Sequence, residues 1–93
     1  MGVVVVVFEA QMSREQADRL AASMREGRAT RPAGVLTAAL LLEGDAVRLV
    51  AFRRDRDTLD RYLSEAPVPR GTELMRSVGV EPEVRIVDCL ELG

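Results

Sequence analysis

The chain has 93 residues, of which 47% are hydrophobic and 30% charged, and its net charge is −2. These values are typical of one globular domain over residues 1–93, with the thin stability margin of a small fold and no apolar run near the ~20 residues that span a bilayer. All thirteen basic residues are arginines interspersed with Asp and Glu, which argues against the concentrated basic face that nucleic acid requires.

The first half of the chain predicts a strand and a helix. The β-branched run Val3 to Glu9 favours a strand that is apolar on both faces. Ser13 and Gln16 have the spacing of a capping box, which predicts the start of a helix. Gly27 ends this helix, and the linker "RATRPAG" follows it.

The second half predicts a hairpin, a helix and a last strand. Two strands, over 34–42 and 46–52, flank a turn at Gly44-Asp45. Asp55 is the expected N-cap of the second main helix, and a short extra helix begins at Thr72. The last strand is expected over 83–92. The order βαββαβ predicts an α+β, ferredoxin-like domain whose two main helices cover one face of a four-stranded antiparallel sheet.

The other face of this sheet has no helix to cover it. The valines of the first strand point to both faces, and the strand over 34–42 carries nothing more polar than Thr37. A large exposed apolar patch on a small domain usually marks an interface. We therefore expect a homodimer formed through the open sheet face.

The residue types present limit the chemistry. No histidine or lysine occurs, which excludes a Ser-His or Cys-His nucleophile, an imidazole metal ligand and a lysine Schiff base. The single Cys89 cannot form an internal disulfide, which fits a reducing cytoplasm. Asp88 falls among apolar side chains of the last strand, so a partner is expected for it, and Arg48 is the predicted one. Tyr62, on the apolar stripe of its helix, needs a hydrogen-bond partner if its hydroxyl is buried.

The pattern resembles the dimeric α+β barrel superfamily and, within it, the antibiotic-biosynthesis monooxygenase family. The resemblance covers nearly the whole chain, through the valine-rich first strand and the segments "SREQADRL", "VLTAALLLEGDAVRLVAF", "DRDTLDRYL" and "VEPEVRIVDCLEL". It implies a homodimer with a pocket between sheet and helices in each subunit. It also implies oxidation of quinol or polyketide-type aromatic substrates without a metal or flavin.

The resemblance turns several residues into site candidates. Arg48 or Arg53, together with Tyr62, would stabilise a substrate anion, and Asp88 is a further catalytic candidate. The candidates for binding a small hydrophobic ligand are Arg53, Met24, Met75 and Thr37. Members of the family use Asn, Trp or His around the pocket, and this chain has none of the three. A binding or regulatory dimer without turnover is therefore the alternative to an oxygenase.

Overall fold

A computed structural model describes residues 2–92. The elements in chain order are β1 (Val4–Gln11), α1 (Arg14–Glu26), a 3₁₀ turn (Gly27–Thr30), β2 (Val35–Glu43), β3 (Ala46–Arg53), α2 (Arg56–Glu65), α3 (Arg70–Ser77) and β4 (Glu83–Asp88). The four strands form one antiparallel sheet in the order β2-β3-β1-β4. The predicted ferredoxin-like α+β arrangement is confirmed.

The pairing of the strands decides which side chains share a face. Val4 lies opposite Arg53 of β3 and opposite Asp88 of β4. Because directly paired residues point to the same side of a sheet and neighbours along a strand alternate, the even-numbered residues of β1 share a face with Arg53. We call this side the helix face, and the opposite side, which carries Val5 and Val7, the open face.

The core lies between the helix face and the helices. The sheet contributes Val4, Val6, Phe8, Val47 and Leu49 to it. The helices contribute Leu20, Leu59 and Met75, each no more than 1% exposed. At ~1.5–3 kcal/mol for each buried large apolar side chain, this contact supplies most of the folding energy.

The predicted helix signals are confirmed where they are local. The hydroxyl of Ser13 accepts from the Gln16 amide at 3.1 Å, and the side chain of Gln16 accepts from the Ser13 amide at 2.8 Å. Asp55 caps α2 by accepting from the Thr58 amide at 2.7 Å. Gly44, with φ +64°, forms the hairpin turn between β2 and β3.

Several element boundaries differ from the predictions, among them the start of α3 and the end of β4. The short helix α3 begins at Arg70, two residues before Thr72, because Pro69 serves as its N-cap. β4 ends at Asp88 instead of Leu92, and the Cys89 amide donates to the carbonyl of Val3 at 3.0 Å. Leu90, beyond the strand, is 95% exposed.

The open face carries apolar side chains beside an ion-pair cluster of Glu9, Arg48 and Arg85. Val5 and Val7, on the central strand β1, are each only 8% exposed, so the single chain already covers much of their surface. Leu41 on β2 and Val87 on β4 are 49% and 42% exposed and flank them.

No helix within residues 2–92 is long and apolar enough to span a bilayer.

Candidate functional site

A cavity of about 130 Å³ lies between the helix face of the sheet and the layer formed by the 3₁₀ turn, α2 and α3. Its wall is mostly apolar, and the larger apolar side chains in it are Val6, Phe8, Met24, Val35, Leu49, Leu59, Leu63 and Leu74. The charged or hydroxyl-bearing side chains in the wall are Arg28, Arg31, Arg53, Arg70 and Tyr62. An apolar hollow with a few convergent polar groups is the usual form of a small-molecule site.

Arg53 is buried in this wall because it is the last residue of β3 on the helix face. Its side chain is 2% exposed. One guanidinium nitrogen, Nη2, donates to the carbonyl of Ala33 at 3.1 Å, and Nε has no partner within residues 2–92. A buried donor without a partner costs free energy. Because Nε is fully enclosed, a ligand in the cavity would meet the terminal nitrogens of the guanidinium.

The loop that carries the Ala33 carbonyl is held by its own backbone. Gly34 has φ +88°, in the left-handed region that favours glycine, and its carbonyl accepts from the Arg54 amide at 2.8 Å. A Cβ at Gly34 would overlap with the side chain of Thr58 at the start of α2. The glycine therefore lets the loop approach α2 closely enough to meet Arg53.

Arg53 also lies over the ring of Tyr62, with its guanidinium carbon 4.8 Å from the ring centroid. This is the geometry of a cation–π contact. Burial lowers the pKa of Arg53, whereas Tyr62 and Asp55 act in the opposite direction. Arginine stays protonated in proteins, so the cavity contains a positive charge with no carboxylate within 4 Å among residues 2–92.

The Tyr62 hydroxyl has the partner that its burial requires. The backbone amide of Arg70, at the start of α3, donates to the hydroxyl oxygen at 2.8 Å. Because this bond uses the oxygen as acceptor, the hydroxyl hydrogen stays available for a ligand. Arg53 and Tyr62 thus offer a charged donor and a neutral donor to the same space.

The side chain of Arg70 holds the 3₁₀ turn against α3. Its guanidinium donates to the Thr30 carbonyl at 2.7 Å, to the Gly27 carbonyl at 3.2 Å and to the Thr30 hydroxyl at 3.2 Å. A Cβ at Gly27 would overlap with this guanidinium. One arginine therefore positions the turn that closes one side of the cavity.

The predicted pair of Arg48 and Asp88 is wrong. Arg48 pairs with Glu9 across β1 and β3, at 3.4 Å, and with Glu43 at 3.5 Å. It points to the open face, because it lies directly opposite Glu9, whereas Asp88 lies opposite Val4 and so shares the helix face. The carboxylate of Asp88 is exposed at the edge of the sheet, where water solvates it.

The remaining predicted site residues divide between the cavity and other places. Tyr62, Arg53 and Met24 line the cavity together. Met75 is fully buried in the core and is not part of the cavity wall. Thr37 lies opposite Phe52, on the open face.

Sequence reasoning missed Arg28, Arg31 and Arg70 as members of the cavity wall. A signal for the first two was present, because the segment over 27–42 contains both arginines and no Asp or Glu. For Arg70 no comparable signal exists, since its contacts with Gly27 and Thr30 join residues 40 or more positions apart.

The chain has a ferredoxin-like α+β fold with a cavity between sheet and helices, and it shares that fold with antibiotic biosynthesis monooxygenase-like proteins. No family profile matches the chain, and no curated protein matches it in sequence.

The fold is similar to that of several solved structures. The chain is similar to a monooxygenase from the gene ActVA-Orf6 of Streptomyces coelicolor in complex with nanaomycin D, with a TM-score of 0.69, 19% identity, and coverage of 98% of this chain and 89% of that one. It is similar to SnoaB, a cofactor-independent oxygenase from Streptomyces nogalater, with a TM-score of 0.61, 16% identity, and coverage of 98% and 94%. It is also similar to a protein of unknown function from Nitrosomonas europaea, with a TM-score of 0.68, 15% identity, and coverage of 100% of this chain and 94% of that one. At these identities the likeness establishes the fold.

Proposed function

We propose that the chain binds an electron-rich aromatic compound with an ionisable ring hydroxyl in the cavity, and that it promotes the oxidation of this compound by dioxygen. The observation that carries the proposal is Arg53, a buried guanidinium at an apolar cavity with no carboxylate partner within residues 2–92. The ActVA-Orf6 and SnoaB structures, which have the same fold, come from a monooxygenase and a cofactor-independent oxygenase and support this choice.

In this proposal, Arg53 stabilises the deprotonated form of the substrate hydroxyl. A hydroquinone in its neutral form reacts slowly with dioxygen, whereas its phenolate gives up an electron readily. A positive charge in a cavity of low dielectric constant lowers the pKa of the bound hydroxyl, so the proton leaves to water. Tyr62 can donate a further hydrogen bond to the same oxygen.

The oxidation balances without an added reductant. The phenolate gives one electron to dioxygen, and the two radicals combine at the ring carbon beside the oxygen. After the peroxide takes up a proton, this carbon loses its hydrogen and the O–O bond breaks, releasing water and leaving a carbonyl. Hydroquinone and dioxygen thus give hydroxyquinone and water, with one oxygen atom in each product. The chain orients the ring and stabilises the anion.

Oxygen uptake with hydroquinone tests the proposal. We expect turnover above the uncatalysed rate, and a loss of about 100-fold in Arg53→Met, as for the removal of one electrostatic stabiliser. The remaining activity should need a higher pH, because the substrate hydroxyl would no longer be acidified. Arg19→Met is the matched control, since Arg19 is exposed on α1 and lies outside both the cavity wall and the open face. No uptake above background, or equal losses in the two variants, would refute the oxygenase.

One observation favours a binding module without turnover. The residues that line the cavity include no Asp, Glu or Cys, so Tyr62 is the one lining side chain of a type used in general acid–base catalysis. Ligand binding that depends on Arg53, measured together with an absence of oxygen uptake, would establish this second function.

We further propose that the chain works as a homodimer through the open face. The exposed Leu41 and Val87 flank the apolar centre of that face. The accessible surface of the single chain is 5852 Å², compared with about 5,300 Å² expected for a monomer of this mass. The excess is what an unpartnered apolar sheet would add.

A further inference from the structure

The size of the cavity limits the ligand to one ring. Its volume is about 130 Å³. An apolar protein cavity of about 150 Å³ holds one benzene molecule. A fused polycyclic ligand would extend well outside the apolar wall, whereas a single aromatic ring fills it.

The charges around the cavity are all of one sign. Four arginines line it, namely Arg28, Arg31, Arg53 and Arg70, and no lining residue is acidic. Within residues 2–92, none of these four forms a salt bridge, whereas six arginines elsewhere do: Arg14, Arg48, Arg54, Arg56, Arg76 and Arg85. The chain as a whole has a net charge of −2, but every charged side chain in the cavity wall is positive. Such a site favours anionic ligands.

The four arginines differ in what they have left to offer. Arg70 is used by the carbonyls of the 3₁₀ turn, and Arg53 lies at the buried wall of the cavity. Arg28 and Arg31 are exposed, at the solvent side of the cavity, and neither makes a side-chain hydrogen bond within residues 2–92. The cavity therefore has an inner positive group, at Arg53, and an outer pair, at Arg28 and Arg31.

We propose that the ligand is a monocyclic aromatic acid, which refines the proposed function and rests on it. The ring fills the apolar cavity, and its hydroxyl oxygen meets Arg53 and Tyr62. An acid group on a short side chain reaches outward to Arg28 and Arg31, whose guanidinium groups suit a carboxylate geometrically. The outer pair selects among phenols by their acid group, and Arg53 recognises the oxygen that they share.

Isothermal titration calorimetry with two probes tests this assignment. The probes are homogentisate, a hydroquinone with an acetic acid side chain, and its methyl ester, which keeps the ring and removes the charge. We expect homogentisate to bind roughly tenfold more tightly than the ester at low salt, because two exposed ion pairs contribute about that much. The preference should shrink at high salt, where the outer charges are screened.

Variants separate the two ends of the site. The double variant Arg28→Gln/Arg31→Gln should lose the preference for the acid and keep the affinity for the ester, whereas Arg53→Met should weaken both probes. The control is Arg19→Gln/Arg25→Gln, which removes the same charge from α1 at two arginines that do not line the cavity. A preference that survives in Arg28→Gln/Arg31→Gln, or that falls equally in the control, would overturn the proposal.

The outcomes also distinguish this proposal from the oxygenase. Equal affinity for homogentisate and its ester overturns the acid selectivity even if both are oxidised. Selective binding of homogentisate without oxygen uptake supports the acid selectivity and refutes the oxygenase. If neither probe binds, both proposals fail.

Discussion

At the scale of single residues, Arg53 is held where an apolar side chain would fold equally well. It gains one hydrogen bond to Ala33 and the contact with Tyr62, and it leaves Nε without a partner. Replacing a buried charged group with an apolar side chain of similar length is often neutral or stabilising. We predict that Arg53→Met lowers the free energy of unfolding by less than about 1 kcal/mol, or raises it, while it weakens ligand binding.

Urea denaturation of the wild type and Arg53→Met measures this difference. A loss of more than about 2 kcal/mol would show that the guanidinium holds the fold together. Arg53 would then be a structural residue, and its position at the cavity would carry no argument about a ligand.

At the scale of elements, the start of α2 depends on Asp55. The hydrogen bond from Thr58 holds the pKa of this carboxyl below its ordinary value, with a smaller contribution from Arg54. A lowered pKa means that the carboxylate stabilises the fold fully above its ordinary pKa and loses this effect as the pH falls through the lowered value.

We predict that Asp55→Ala lowers the melting temperature by roughly 5 °C at neutral pH, as the loss of an N-cap does in a domain of this size. Asp55→Asn keeps an acceptor and should lose less at neutral pH, and its difference from the wild type should disappear in acid. The control is Asp57→Ala, which removes a carboxylate two residues further on, in the first turn of α2. Thermal melts followed by circular dichroism between neutral and acidic pH show the pattern, and equal losses for Asp55→Ala and Asp57→Ala would contradict it.

The approach of α3 to the sheet depends on Gly71. A Cβ at this position would clash with the ring of Phe8, which is buried in the core. Alanine favours helices over glycine by about 1 kcal/mol, but overpacking costs about 1–3 kcal/mol. We predict that Gly71→Ala destabilises the protein, measured as the free energy of unfolding in urea.

A double-mutant cycle identifies the clash as the cause. In the background Phe8→Leu, which removes the ring, Gly71→Ala should cost less by about 1 kcal/mol or more. Gly2→Ala, where no atom lies within 4 Å of the added carbon, should be close to neutral. Additive costs for Phe8→Leu and Gly71→Ala would mean that α3 moves away from the sheet without strain.

The contrast between local and distant contacts explains what could be predicted from the sequence. The capping box at Ser13 and the cap at Asp55 join residues three positions apart, so their spacing can be read directly. The faces of Arg48 and Asp88 depend on how β3 and β4 each align with β1, and a shift of one residue reverses the face. Such alignments depend on packing across the whole sheet, and the sequence alone left them open.

The cavity shows the same limit. The sequence points to Tyr62 through its place on the apolar stripe of α2, and to Arg53 through the family resemblance. Their convergence with Arg70 depends on the packing of α3 against the 3₁₀ turn, far apart in sequence. The volume of the cavity depends on how side chains from several elements pack together, so no local sequence pattern encodes it.

At the scale of the whole molecule, we expect the open face to determine how many chains assemble. Val87 is 42% exposed there, beside Val5 on the neighbouring strand. A carboxylate introduced at Val87 would have to be buried at the interface of a dimer, at a cost of several kcal/mol. We predict that the wild type is a dimer and that Val87→Asp is a monomer, measured by size-exclusion chromatography with light scattering.

Arg25→Asp, on the exposed surface of α1, is the control and should leave the dimer intact. If the wild type and Val87→Asp are both monomers at the same protein concentrations, the proposed assembly is wrong. The melting temperature offers a second readout, since that of a dimer rises with protein concentration.

The bonds of Arg70 link the entrance of the cavity to its aromatic wall. Its guanidinium ties down the 3₁₀ turn beside Arg28, and its backbone amide holds the hydroxyl of Tyr62. A movement of α3 that widens the entrance must therefore also release the tyrosine. For the proposed ligand, we therefore expect the rate of release to depend on the breaking of these bonds as well as on the contacts of the ligand itself.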